Sequence, residues 1–177
     1  MQRRGWHIIT LDNDTAFSPD ILADVRTWHY QGEAPTLIWA SPPCNEFSRE
    51  FFPWTRTGNP PDLSIFTACK RIIQEAHPTY WIIENTRGAV PYFGTPSFIR
   101  YPYYLWGFFP PIGTVDLSKR KHKDSYPSSA KAERAKIPFA LSLRIAQAIE
   151  TSPPLTWTGR AAQSAHSPQA SRQSQPE

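Results

Sequence analysis

Two cysteines, Cys44 and Cys69, are all that the 177 residues contain. That is too few for a disulfide framework or a zinc site, so no metal is expected, and a reducing, cytoplasmic setting fits best. No apolar run approaches the ~18 residues that cross a bilayer, which excludes a transmembrane helix. The start, Met1-Gln2-Arg3-Arg4-Gly5-Trp6-His7, has basic residues but no apolar stretch after them, against a signal peptide. No segment repeats. Charge of one sign is not in large excess: 19 Lys+Arg against 15 Asp+Glu leave a net +4. Such a balance suits a nucleic-acid partner without demanding one. Nothing points to an obligate protein partner. Proline (19) and aromatic residues (14%) are plentiful, the first punctuating loops and the second feeding a modest core.

Residues 151–177 are dominated by Ser, Pro, Gln and Ala, and after Trp157 nothing is large and apolar. A segment of that kind buries too little surface to offset its ordering entropy, so a disordered tail is expected. The folded domain is expected within 1–150, from about Gly5. In it, short apolar runs alternate with helical patterns. His7-Ile8-Ile9-Thr10-Leu11 reads as a strand ending in Asp12. Thr36-Leu37-Ile38-Trp39-Ala40 reads as a second, followed at once by Ser41-Pro42-Pro43-Cys44. Asp62 to Ala76 carries Leu63, Phe66, Ile72 and Ile73 on a roughly helical face. Tyr80-Trp81-Ile82-Ile83 reads as a third strand, ending in Glu84-Asn85. Pro138 to Ile149 reads as a helix with Leu141, Ile145 and Ile149 at i, i+4 and i+8. Continuous apolar strands imply a parallel α/β sheet covered on both faces. In such sheets ligands bind beyond the carboxyl ends of the strands, where Asp12, Cys44 and Glu84 fall.

Cys44 follows two prolines and a strand, which hold its backbone stiffly. A thiol at a strand end, near a helix N-terminus or a cation, can become a nucleophile. Alone it reads better as a small buried hydrophobe, as most free cysteines do. Cys69, inside an amphipathic pattern, is assigned to the core. Glu84 shifts the balance. A carboxyl at the end of an apolar strand has its pKa raised by desolvation and can stay protonated. Asn85 beside it can fix the loop through side-chain-to-backbone bonds. The bland reading is a surface Glu84 paired with Arg87. A nucleophilic thiol and a protonatable acid on adjacent strand ends suit attack on an electron-poor heteroaromatic ring, with the acid neutralising charge at a ring nitrogen.

The run Trp39-Ala40-Ser41-Pro42-Pro43-Cys44-Asn45-Glu46-Phe47-Ser48 resembles the catalytic Pro-Cys motif of DNA (cytosine-5) methyltransferases. Ile83-Glu84-Asn85-Thr86-Arg87-Gly88 resembles their Glu-Asn motif, in the same order and spacing. Asp12 resembles the acidic residue that binds the ribose of S-adenosylmethionine. Asp20-Ile21-Leu22-Ala23-Asp24-Val25 is similar to the next motif, in which Asp24 would contact the adenine amino group. Arg134-Ala135-Lys136-Ile137-Pro138-Phe139-Ala140-Leu141-Ser142 resembles the last motif. The likeness covers about residues 5–150 and is greatest to the small phage and prophage type. It implies a Rossmann-like methyltransferase sheet, with Cys44 adding to C6 of a cytosine flipped out of the duplex. Glu84 and Asn85 would act at the ring, and Ser41 and Pro42 would border the cofactor. Arg87 and Arg100 would contact DNA. The basic stretch Lys119, Arg120, Lys121 and Lys123 reads equally well as a set of phosphate contacts that hold DNA without reading sequence or as a solvated loop.

Three departures from the family pattern follow. The chain starts after the place of the glycine-rich cofactor turn, so the expectation is an N-terminally truncated domain that binds S-adenosylmethionine weakly. Arg100 stands alone where the family has an Arg-x-Arg pair. The insert 107–133 is too short for the usual target-recognition domain. Two rivals remain: a truncated, non-catalytic remnant that at most binds nucleic acid, and an amino-methyltransferase using Ser41-Pro42-Pro43. The second lacks the expected aromatic residue at position 44 and has no use for Glu84-Asn85.

Overall fold

The structure, a computed structural model, describes residues 4–48, 58–117 and 137–152. The basic stretch 119–123, the tail beyond 152 and residues 134–136 of the last motif lie outside the described residues. The fold is mixed α/β. β1 (Leu11–Asp12) and β2 (Ile21–Leu22) form a parallel pair. β3 (Leu37–Ala40), β4 (Tyr80–Asn85), β5 (Phe98–Arg100) and β6 (Tyr103–Phe108) form a four-stranded sheet in the order β3-β4-β6-β5. The helices are α1 (Asn45–Ser48), α2 (Ser64–Ala76), α3 (Val90–Phe93) and α4 (Phe139–Thr151).

The sheet is mixed rather than parallel throughout. β3 and β4 run parallel, with Ala40 opposite Ile83, and the chain between them crosses over through α2. Parallel neighbours need such a crossover. β5 and β6 are joined by Tyr101 and Pro102 alone, and a two-residue connection makes neighbouring strands antiparallel. β6 then pairs antiparallel with β4, Trp106 opposite Ile83 and Leu105 opposite Glu84. The aromatic run 103–108 carries this hairpin, for which no strand is expected from the sequence pattern.

The expected strand over residues 7–11 is reduced to Leu11–Asp12. Ahead of it the Thr10 carbonyl still accepts the Ile21 N–H at 2.9 Å, but its own N–H and hydroxyl both donate to the Asp20 carboxylate, at 2.8 and 2.7 Å. The backbone N–H of Asp20 returns a bond to Thr10 Oγ1 at 3.0 Å.

Alternation along β4 sends its residues to two cores. Tyr80 and Ile82 pack with Leu105, Val115 and the α4 residues Leu141, Ile145 and Ile149. Ile83 packs on the other face with Cys69 and Ile73 of α2. Each helix therefore buries its apolar stripe on its own side of β4. The Cys69 thiol lies in the α2 core as expected, and burial pushes its pKa up to about 11. Gly107 is required where β6 meets β4. Its φ is 151°, and a Cβ there would lie 2.0 Å from the Trp81 carbonyl oxygen. The N-terminal segment is tied to α4: Arg4 bonds the Glu150 carboxylate, and Trp6 Nε1 donates to Glu150 Oε1 at 2.8 Å.

Candidate active site

The carboxyl ends of β3, β4 and β5 lie at one end of the sheet, because β5 is antiparallel to β6 and β6 to β4. Ser41-Pro42-Pro43-Cys44 leaves β3 there, and Glu84-Asn85 closes β4. Parallel register continues one rung past Ala40 and Ile83, which sets Ser41 beside Glu84. The Ser41 hydroxyl bonds the Glu84 carboxyl. Trp39, two residues before Ser41 and so on the same face, donates from Nε1 to Ser41 Oγ at 2.8 Å.

Glu84 shares its face of β4 with Tyr80 and Ile82, above the α4 core. Burial pushes its pKa up to about 7, against the opposing pull of the Ser41 hydroxyl bond. Among the described residues it makes no ion pair, and Arg87, its expected partner in the bland reading, is exposed. A carboxyl of this kind exchanges its proton close to neutral pH.

Asn85 points to the opposite face and is 1% exposed. Its Nδ2 donates to the Pro42 carbonyl at 3.0 Å, and its Oδ1 accepts from the Thr86 N–H at 2.9 Å. One buried amide thus staples the loop after β3 to the turn after β4. The loop-fixing role expected of Asn85 is met, with Pro42 as the partner.

Cys44 is exposed, and its carbonyl accepts from the Phe47 and Ser48 N–H groups at 3.1 and 2.9 Å, opening α1. α1 is anchored by Phe47, which packs with Ala89 and Trp106. The Phe47 and Phe93 ring centroids are 4.9 Å apart, and Phe93 stacks on Phe66 at 3.6 Å. Trp106 Nε1 donates to the Gly94 carbonyl at 2.7 Å. This aromatic block fastens the helix after Cys44 to the turn after Asn85. The sequence reading missed it, as it missed Trp39. The signal for Trp39 was its i, i+2 spacing from Ser41 on a strand.

The other expected residues make no hydrogen bond or ion pair with Ser41, Glu84 or Asn85 among those described. Asp12 ends β1, with Oδ1 accepting from the Asp14 N–H at 2.9 Å. Asp24 follows β2, and its carboxylate is bonded by Arg26: Nε reaches both oxygens at 3.0 Å, and the backbone N–H reaches Oδ1 at 2.9 Å. The Arg26 side chain, then its N–H, hold the Asp24 pKa down to about 2. The loop after Asp24 is held to α2 by Arg71, whose Nη2 donates to the Val25 and Trp28 carbonyls at 3.0 and 2.8 Å. Glu75 supports it by accepting the Tyr30 N–H at 3.0 Å. Arg100 ends β5 and donates from Nε to the Val115 carbonyl at 2.8 Å.

Of the expected cofactor residues, Asp12 keeps its second carboxylate oxygen clear of the bond to Asp14, which suits a ribose hydroxyl. Asp24 is committed to Arg26, and Ser41 to Trp39 and Glu84. The fit to S-adenosylmethionine is therefore partial. No cluster of metal-ligating side chains occurs among the described residues. No helix of the described residues is long and apolar enough to cross a membrane. No family model, curated protein or solved structure matches the chain.

Proposed function

We propose that the chain is a DNA cytosine-5 methyltransferase of Rossmann-like sheet. Its nucleophile is Cys44, and Glu84 is the acid that protonates the ring at N3. The observation that carries this reading is the pairing of two neighbouring strand ends. One presents an exposed thiol, the other a half-buried carboxyl whose pKa is near 7, and Asn85 staples the two loops together. The Cys44 thiolate adds to C6 of a flipped cytosine, and Glu84 gives its proton to N3 as negative charge develops there. Carbon 5 becomes nucleophilic and takes a methyl group, which S-adenosylmethionine supplies. Water takes the C5 proton as the thiolate is expelled, and N3 returns its proton to Glu84, which restores the aromatic ring and the acid. Arg87 and Arg100 lie beside this end of the sheet as candidate DNA contacts, and the basic stretch 119–123 is proposed to hold phosphates.

The Asp24–Arg26 pair favours a second reading: a non-catalytic relative that binds nucleic acid and holds the cofactor weakly. Duplex DNA containing 5-fluorocytosine, with saturating S-adenosylmethionine, separates the two. Fluorine at C5 does not leave as a cation, so elimination stalls and the thioether at C6 persists. The first reading expects a denaturation-resistant adduct that survives Cys69→Ala and disappears in Cys44→Ala. In Glu84→Gln it should form ~10²–10⁴-fold more slowly, the usual worth of general-acid help. No adduct from the unaltered chain upholds the second reading. An adduct from Cys44→Ala overturns the assignment of the nucleophile.

A further inference from the structure

We propose that Trp39 is a positioning residue for Glu84 and acts through Ser41. An indole N–H only donates, so the 2.8 Å bond from Trp39 Nε1 makes Ser41 Oγ an acceptor. One lone pair of the hydroxyl is then engaged, and its single proton is free to turn to the neighbouring strand. What stands there is Glu84, one rung past the Ala40–Ile83 pair and bonded to Ser41. Donation from Trp39 also polarises the hydroxyl and strengthens the bond it makes in turn.

The backbone fixes this chain of three groups. Trp39 and Ser41 are two apart on a strand and so share a face, as do Ile82 and Glu84 on β4. The Trp39 ring is held by the core, packed against the cluster of Tyr80, Ile82 and Leu141. Ser41 itself is exposed. The rigid indole therefore supplies the orientation that the small side chain lacks.

The consequence is a set point. Burial favours the protonated acid and the Ser41 proton favours the carboxylate, so the direction of that proton decides where Glu84 titrates. Other titratable groups on the surrounding elements act elsewhere. Arg100 on β5 is bonded to the Val115 carbonyl, and Arg144 on α4 is exposed. Glu150 on α4 is engaged by Arg4 and Trp6, Arg87 after β4 is exposed, Tyr80 on the same face of β4 is buried in the α4 core, and Tyr103 and Tyr104 belong to the β6 packing. The Cys44 thiol is the titratable group nearest along the chain from Ser41.

The inference rests on the proposed reaction only for its catalytic meaning, so its test reads Glu84 directly. The side-chain carboxyl carbon of Glu84 is followed by NMR as a function of pH in the whole chain, and Glu84→Gln assigns the resonance. Ser41→Ala should raise the midpoint by about one pH unit, as loss of one hydrogen bond to a charged group implies. Ser41→Thr, which keeps the hydroxyl, should restore it. Trp39→Phe should raise the midpoint by less than Ser41→Ala, and should add nothing further in a Ser41→Ala background. A Trp39→Phe shift that persists undiminished without Ser41 overturns the proposal. So does a midpoint that Ser41→Ala leaves unmoved, a variant whose exposed site keeps the fold intact. A shifted midpoint together with no adduct on 5-fluorocytosine DNA upholds the relay and refutes the reaction.

Discussion

Replacing Asn85 by alanine removes both ends of one staple. The Pro42 carbonyl loses its donor at 3.0 Å, and the Thr86 N–H loses its acceptor at 2.9 Å. Pro42 is buried and Thr86 is half-buried, so water reaches neither freely. A buried polar group left without its partner costs about 1–3 kcal/mol. Two such groups, one of them partly accessible, put the loss at about 2–4 kcal/mol. The missing side chain also leaves a void beside Ile83, which moves the figure toward the upper end. Against a total stability of about 5–15 kcal/mol this is a large share. Urea unfolding followed by tryptophan fluorescence reads it as a fall in the midpoint at unchanged slope. Asn85→Asp should also be destabilising, because a carboxylate oxygen would face the Pro42 carbonyl without a proton to donate. A second readout is the rate at which a small alkylating reagent modifies Cys44, whose loop should loosen in Asn85→Ala. A loss under about 0.5 kcal/mol with no change in that rate would refute the view that this amide joins the two loops.

Two further substitutions probe the same frame. Gly107→Ala sets a methyl group against the Trp81 carbonyl at a backbone angle that side chains rarely adopt. Its expected cost is about 3 kcal/mol or more, read as a drop in thermal midpoint, and a neutral result would mean that β6 pairs with β4 differently. Thr86 buries a hydroxyl that has no hydrogen-bond partner among the described residues. Thr86→Val should therefore be neutral or stabilising by up to about 1 kcal/mol in urea unfolding, and a clear loss of stability would show that the hydroxyl is bonded.

What was legible in the sequence was legible for physical reasons. Leu37–Ala40 and Tyr80–Asn85 are short runs of apolar and β-prone residues bounded by prolines and polar residues, and they form the parallel pair. Leu141, Ile145 and Ile149 repeat at helical spacing and pack on the sheet. The raised pKa of Glu84 and the loop-fixing of Asn85 follow from a polar pair at the end of an apolar strand. The hairpin 98–108 was missed because both faces of its second strand carry aromatic rings, which hides the period-2 signal. The expected strand at residues 7–11 shrank to its end because its apolar pattern carries no information about which neighbour it pairs with. The Asp24–Arg26 pair is an i, i+2 contact set by the turn of the chain, and no hydrophobic period reports it. Lys119, Arg120, Lys121 and Lys123 fall outside the described residues, so the structure leaves their assignment where the sequence put it.

Glu84 also ties chemistry to stability in a way that has a definite sign. Its pKa stands at about 7 in the folded chain against an ordinary 4.5. The folded state therefore holds this proton more tightly than the unfolded state does. Below the ordinary value both states are protonated and the group is neutral in the balance. As pH rises toward 7 the unfolded chain releases the proton while the folded chain keeps it, and stability falls. Above about 7 the penalty is complete. A difference of 2.5 pH units corresponds to about 3 kcal/mol, and residual exposure of the half-buried carboxyl reduces it to about 1–3 kcal/mol. Glu84→Gln keeps the shape and an oxygen that can accept from Ser41, but it carries no charge to desolvate. Its stability should match that of the unaltered protein at about pH 3.5, below the ordinary value, and exceed it by that margin at about pH 8, measured by urea unfolding at each pH. The same variant should react more slowly with 5-fluorocytosine DNA. A substitution that stabilises the fold while impairing the reaction is the signature of a residue kept in an unfavourable place for its chemistry. Equal stability of the two proteins at both pH values would mean that Glu84 is solvated in the folded chain. The acid role assigned to it would then lose its physical basis.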